Sequence, residues 1–161
     1  MAVDFSTFSR EALRAGLDLG TLRDPEITAL HVAKDKGNNP LYTVYGEGII
    51  PNIPLSKTRE DERVALESCL ELMIRGVSAG EKVKSVVIHS SPKNEILNFA
   101  RSSGFDLILM GTHGREGLSQ IFLGSVAEHV IRHTQCPVYV ISDKAEKAQA
   151  APVTMEEAVL N

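Results

Sequence analysis

Four glycines, at positions 111, 114, 117 and 124, fall between Met110 and Val130. Thr112, His113 and Ser125 stand beside three of them. Glycine lets a backbone come close to a bound group, and successive free N–H groups form a concavity that holds anions. The apolar run Leu107, Ile108 and Leu109 comes just before, and a helical pattern starts near Ser125. The N–H groups at a helix start have no intrahelical partner and carry partial positive charge. A strand end, a glycine loop and a helix start, in that order, are the parts of a phosphate cradle that needs no lysine. The blander reading is a glycine-rich loop that holds nothing.

Other chemistry-bearing residues are sparse. His113, between glycines of the loop, is the histidine placed for function, but a general acid or base needs a partner and the sequence names none. His129 and His133 stand four apart on one helix face, as zinc ligands can. Without an H-E-x-x-H pattern or an evident third ligand, a solvated helix face is the favoured reading. His31 and His89 fall near strand ends, where they pack or face the cleft. Cys69 and Cys136 lack metal-ligand spacing and read as buried free thiols in a reducing cytoplasm. Tyr42 and Tyr45 read as anchors of a loop, with cover for a bound ligand as the other reading. Neither G-x-x-x-x-G-K-[ST] nor a G-x-G-x-x-G after the first strand is present, so neither a P-loop nor an ordinary dinucleotide fold is expected.

These residues need a scaffold. A chain of 161 residues is long enough for one domain with a real core. Its net charge of −4, with Lys and Arg scattered, gives no electrostatic footprint for nucleic acid. No apolar run reaches the ~18 residues of a membrane span. Apolar and turn patterns predict a short strand over residues 1–5, a helix through Ala12, Leu13, Leu17 and Leu19 capped by Ser6 or Ser9, and a strand over 27–32. A long Gly, Pro and Asn-rich loop over 36–54 follows. A charged helix over 57–77, a strand over 82–89 and a helix opening at Ser91-Pro92 and closing on Gly104 come next. The remaining pattern gives a strand over 105–111, a helix over 125–134 and a strand over 136–142. Alternating strands and helices predict an open, Rossmann-like α/β domain with a parallel sheet covered on both faces. The first strand, with about four residues, is short for a central one. The domain is expected over residues 1–142. The polar tail 143–161 reads as frayed, with a short helix around Thr154 and Glu157 as the other reading.

Gly111, Gly114, nine intervening residues and then Gly124-Ser125 match the G-2x-G-9x-G-[S/T] signature of the ATP-binding universal stress proteins. The stretches VDFSTFSREALRAGLDL, ITALHV, PKNEILNFARSSGFDLILMGTHG and LGSVAEHVIRHTQCPVYVI also resemble that family, so the likeness covers about residues 2–142. The resemblance implies five parallel strands in the order 3-2-1-4-5. It implies that Asp4 faces the adenosine, Val32 offers backbone groups to the adenine edge, and Met110 lines the base or ribose pocket. Gly111, His113 and Gly114 would meet the ribose and first phosphates, and Gly124, Ser125 and Val126 the outer phosphates. It further implies a two-fold homodimer through the edge strand 137–141, with Val138, Tyr139, Val140 and Ile141 at its centre and Pro137 opening the strand.

The leading reading is a cytoplasmic, ATP-binding regulatory homodimer of the universal stress type with a role in stress response, in which bound nucleotide stabilises the dimer or changes a surface read by an unidentified protein partner. Mg²⁺ is admissible beside the phosphates, although no side chain claims it. The alternatives are a slow ATP hydrolase or adenylyl-transfer enzyme using His113, and a nucleotide-free interaction module. The missing catalytic lysine and acidic metal pair argue against an enzyme, leaving at most slow ATP hydrolysis. The intact glycine signature argues against the empty module.

Overall fold

A computed structural model describes residues 1–20, 25–34, 58–78, 80, 82–112 and 123–142. In chain order these form α1 (Thr7–Gly20), β1 (Ile27–Ala33), α2 (Arg59–Arg75), β2 (Val83–His89), α3 (Pro92–Ser102), β3 (Ile108–Gly111), α4 (Ser125–His133) and β4 (Val138–Ile141). The loop 36–54 with Tyr42 and Tyr45, the segment holding His113 and Gly114, and the tail 143–161 lie outside the described residues.

The α/β alternation is as expected, and both ladders are parallel. β1 pairs with β2 from Ile27↔Val83 to Ala33↔His89. β3 pairs with β4 from Ile108↔Val138 to Gly111↔Ile141. The described residues thus hold two two-stranded sheets. The first segment makes a single parallel bridge, Ala2↔Leu30, in place of the expected strand. It is too short for a ladder: Leu30 donates to Met1 O at 2.8 Å, Val3 donates to Leu30 O at 2.8 Å, and Ala2 donates to Leu109 O at 2.9 Å. β3 is also shorter than expected, because Phe105 is spent on ending α3.

Period-two alternation in β1 divides the core. Ala29 and Ala33 join a cluster with Val3, Phe5, Leu13 and the α2 residues Leu66, Leu70 and Met73. Leu30 and Val32 join the other cluster, with Ile96, Ala100, Met110, Ala127 and Val130 from α3, β3 and α4. Helices therefore cover both faces, α1 and α2 on one side and α3 and α4 on the other. Every residue of β1 except Ile27 is buried, as a strand covered on both faces requires.

Local chemistry sets the helix ends. Thr58 caps α2, its side chain accepting from Asp61 N at 3.1 Å, ahead of the acidic first turn Glu60, Asp61 and Glu62. Pro92 opens α3 as expected. At its far end Gly104 takes φ 67°, Gly104 N donates to Arg101 O at 3.4 Å, and Phe105 N donates to Ala100 O at 3.2 Å. The Phe105 ring then packs on Phe99 at 5.6 Å between centroids. This double-bonded stop with its apolar clasp is the Schellman arrangement.

Candidate functional site

The candidate site lies at the carboxyl ends of β1 and β3, beside the starts of α1 and α4. The α1 side is built by a relay. Ser9 N donates to Ser6 Oγ at 3.1 Å, and Ser6 Oγ donates to Asp4 Oδ1 at 2.6 Å. Ser6 N also donates to Asp4 Oδ1, at 3.0 Å. Ser6, one residue before the helix, is thus the cap of α1. Asp4 holds that cap, a role its sequence position did not announce. The turn between them forces Phe5 to φ 66°, where a bulky residue is strained.

Two buried groups keep the turn in place. The Phe5 ring meets the His31 ring at 4.4 Å between centroids. His31 Nδ1 lies 2.7 Å from Val3 O. A carbonyl only accepts, so Nδ1 carries the proton. His31 is 1% exposed, so of its two sequence readings packing is the observed one. His89 ends β2 and faces the α2 carboxylate of Glu62, with Nε2 3.5 Å from Oε2.

On the α4 side, Gly111 ends β3. A Cβ there would stand 2.7 Å from Phe8 Cβ and 3.0 Å from Phe8 C. Glycine is therefore required at 111 by the approach of α1, whatever else the residue touches. Thr112 N donates to Ile141 O at 2.8 Å, and Gly124 N donates to Thr112 O at 2.7 Å. This second bond closes the loop and ties the start of α4 to the end of β3. Thr112 is a site-building residue that sequence reasoning missed, because it acts through its carbonyl. Gly124 is the α4 cap, with φ −60° and ψ 144°, a conformation open to any residue. Glu128 N donates to Gly124 O at 2.9 Å, the first intrahelical bond. Helix geometry leaves the N–H groups of Ser125 and Val126 without intrahelical partners. The Ser125 side is exposed, while Val126 is half-buried.

Val32 and Met110 are 7% and 5% exposed and belong to the same apolar cluster beneath the strand ends. The structure thus brings Gly111, Gly124, Ser125 and Val126 together around Thr112, with Asp4 at the start of α1, the helix whose Phe8 packs on Gly111. Val32 and Met110 sit in the core under them. Among the described residues no three His, Cys, Asp or Glu side chains gather as a metal-binding group.

Elsewhere, His129 and His133 stack at 4.2 Å between ring centroids. Burial, His133 and Lys93 together hold the His129 imidazole below its ordinary value. Cys69 is buried and Cys136 only half-buried, which corrects the expectation for the second thiol. Burial pushes both thiols up, and nearby Asp106 adds to the effect at Cys136. Both are therefore poor nucleophiles. A cavity of about 180 Å³ lies between the C-terminal ends of α3 and α4, lined by Leu97, Arg101, Phe105, His133 and Cys136. It is at the opposite end from the candidate site and smaller than the ~300–1,000 Å³ of ordinary ligand pockets.

Comparison with known proteins agrees with this architecture. Universal stress protein MJ0531 of Methanocaldococcus jannaschii is 33% identical over 138 residues, covering 86% of this chain and 77% of its own length. Universal stress protein YxiE of Bacillus subtilis is 27% identical, covering 88% and 95%. The solved structure of M. jannaschii MJ0577 superposes with a TM-score of 0.61 at 27% identity, covering 88% of this chain and 92% of its own. An Archaeoglobus fulgidus universal stress protein solved in complex with dAMP shares the fold at a TM-score of 0.55 and 23% identity, covering 87% of this chain and 93% of its own. Residues 1–142 match the Universal stress protein family as a whole, and the chain belongs to that family.

Proposed function

We propose that this protein is an ATP-binding regulatory homodimer that holds its nucleotide more than it turns it over. The observation that carries the proposal is the bond from Gly124 N to Thr112 O at 2.7 Å. It fixes the start of α4, with N–H groups that have no intrahelical partner, beside the end of β3. That is where the signature spacing of Gly111, Gly114 and Gly124-Ser125 requires a phosphate cradle. In this reading Gly124, Ser125 and Val126 hold the outer phosphates, and Gly111, His113 and Gly114 the ribose and first phosphates. Asp4 faces the adenosine, Val32 gives backbone groups to the adenine edge, and Met110 floors the pocket. The two ladders then join through residues 1–3 as one sheet of order 3-2-1-4-5. The A. fulgidus relative in complex with dAMP supports an adenine nucleotide as the ligand class. Mg²⁺ accompanies the phosphates without a dedicated protein ligand.

The donors named here act on ground-state phosphate charge. Fast hydrolysis needs groups that act mainly in the transition state: an aligned water, a base and a cation on the leaving oxygen. Turnover is therefore expected far below the ~1–10³ s⁻¹ of ordinary enzymes. The second subunit pairs along β4, whose Tyr139 is 52% exposed at the sheet edge.

Calorimetry with ATP tests the cradle. One nucleotide per chain is expected. Ser125→Ala should weaken binding by about 1.5–3 kcal/mol, one hydrogen bond to a charged group. His113→Ala should retain most of the affinity, since backbone groups make the contacts. Wild-type affinity in both Ser125→Ala and Gly124→Val would refute the cradle. Rapid phosphate release that disappears in His113→Ala would establish an enzyme instead.

A further inference from the structure

We propose that His129 and His133 form a two-nitrogen surface site for a divalent transition-metal ion of the nickel, copper and zinc group. The two residues stand one turn apart on α4, so their side chains leave the helix on the same face. Their rings lie stacked, 4.2 Å between centroids and 26° between planes. Two imidazole nitrogens sharing one ion at ~2.0–2.1 Å must come to roughly 2.9 Å of each other in a square-planar or octahedral arrangement and roughly 3.3 Å in a tetrahedral one. Chelation therefore requires the two rings to turn from this stack until both lone pairs converge on one point.

The tautomer is already set at one ring. His133 Nδ1 donates to the His129 carbonyl at 2.8 Å, which leaves the lone pair of Nε2 for a metal. Metal-bound histidines are oriented in this way, by a carbonyl on the other ring nitrogen. His133 is exposed and His129 half-exposed, so an ion reaches the pair directly.

The surroundings select the class of ion. After burial and His133, the positive charge of Lys93 helps to hold the His129 imidazole below its ordinary value. The adjacent carboxylate of Glu128 is engaged by Arg132 at 3.0 Å. A hard cation held by charge, such as Mg²⁺ or Ca²⁺, is thus disfavoured, because it wants oxygen ligands and negative charge. Nickel, copper and zinc take neutral imidazole nitrogen as a ligand, so they do not depend on a carboxylate here. Two protein nitrogens leave further coordination positions for water or for a donor on another molecule.

Titration of the full-length, untagged protein with NiCl₂ and CuSO₄ tests the site. One ion per chain is expected, with little response to MgCl₂. His129→Ala and His133→Ala should each weaken binding about tenfold or more. Lys93→Ala should strengthen it, because a neighbouring positive charge is gone. Helix content by circular dichroism checks that the variants fold. In the unmodified protein, Cu²⁺ should broaden the imidazole proton resonances of His129 and His133 before those of the buried His31. Unchanged affinity in either folded histidine variant, or broadening centred on other residues, would overturn the proposal.

Discussion

At Gly111 one residue answers to two demands. The close approach of Phe8 excludes a side chain there, and the proposed nucleotide needs the same open backbone. The two are separable. Gly111→Ala should destabilise the protein without any ligand present, by about 1–3 kcal/mol for forced overpacking. Urea denaturation measures this, and an unchanged midpoint would mean that α1 yields freely. Gly124 differs, because its backbone conformation suits any residue. Gly124→Val should therefore cost binding far more than stability. The glycine spacing was legible in the sequence, but its division of labour was not. Nothing in a string of letters shows that Phe8, over a hundred positions earlier, lies against Gly111. His31 makes the same point: an imidazole near a strand end reads as packed or as facing the cleft, and its burial and the bond to Val3 O decide.

Among the elements, the helices were the most readable, because caps and stops are local chemistry. Pro92 and Gly104 bracket α3 as their residue types require, while Ser6 and Thr58 cap α1 and α2. Gly104→Ala should cost roughly 1–2 kcal/mol, since alanine must adopt the left-handed conformation at φ 67°. The midpoint of thermal unfolding checks that figure. The strands were less readable at their ends. The apolar run from residue 105 looked like one strand, but Phe105 serves the α3 stop and Leu107 is 39% exposed. At β4, Val140→Lys places a charge on the edge proposed to pair between subunits. Sedimentation should then show monomer, and an unaltered dimer would put the interface elsewhere.

At the level of the whole molecule, a polypeptide that begins at Met1 buries its terminal amine. The Met1 ammonium donates to Thr28 O, and burial lowers its pKa from 8.0 to about 6. Above pH 8 the amine is neutral in both folded and unfolded chains. As pH falls from 8 to 6 the unfolded chain takes up a proton that the folded one refuses, so stability declines. The loss levels off below about pH 6, at on the order of 2–3 kcal/mol. Denaturation of a polypeptide with a free amine at Met1 should show this slope, and acetylation of that amine should flatten it. The α/β class and both covered faces were legible from alternation alone. The junction of the two ladders was not, because it depends on three backbone bonds made by residues 1–3 and not on side-chain pattern.

The bond from Ala2 N to Leu109 O also orders events in time. It joins Ala2 to a strand that leaves the ribosome more than a hundred residues later. Until then residues 1–3 have a partner only in β1, and Leu30 and Val32 face a cluster lacking β3 and α4. Closing so large a loop is slow compared with forming a helix. A nascent chain halted before residue 105 should hold α2 against β1 and β2 yet expose the apolar side of β1. Proteases should cut it readily, and chaperones that bind apolar segments should meet this protein at that stage of its synthesis.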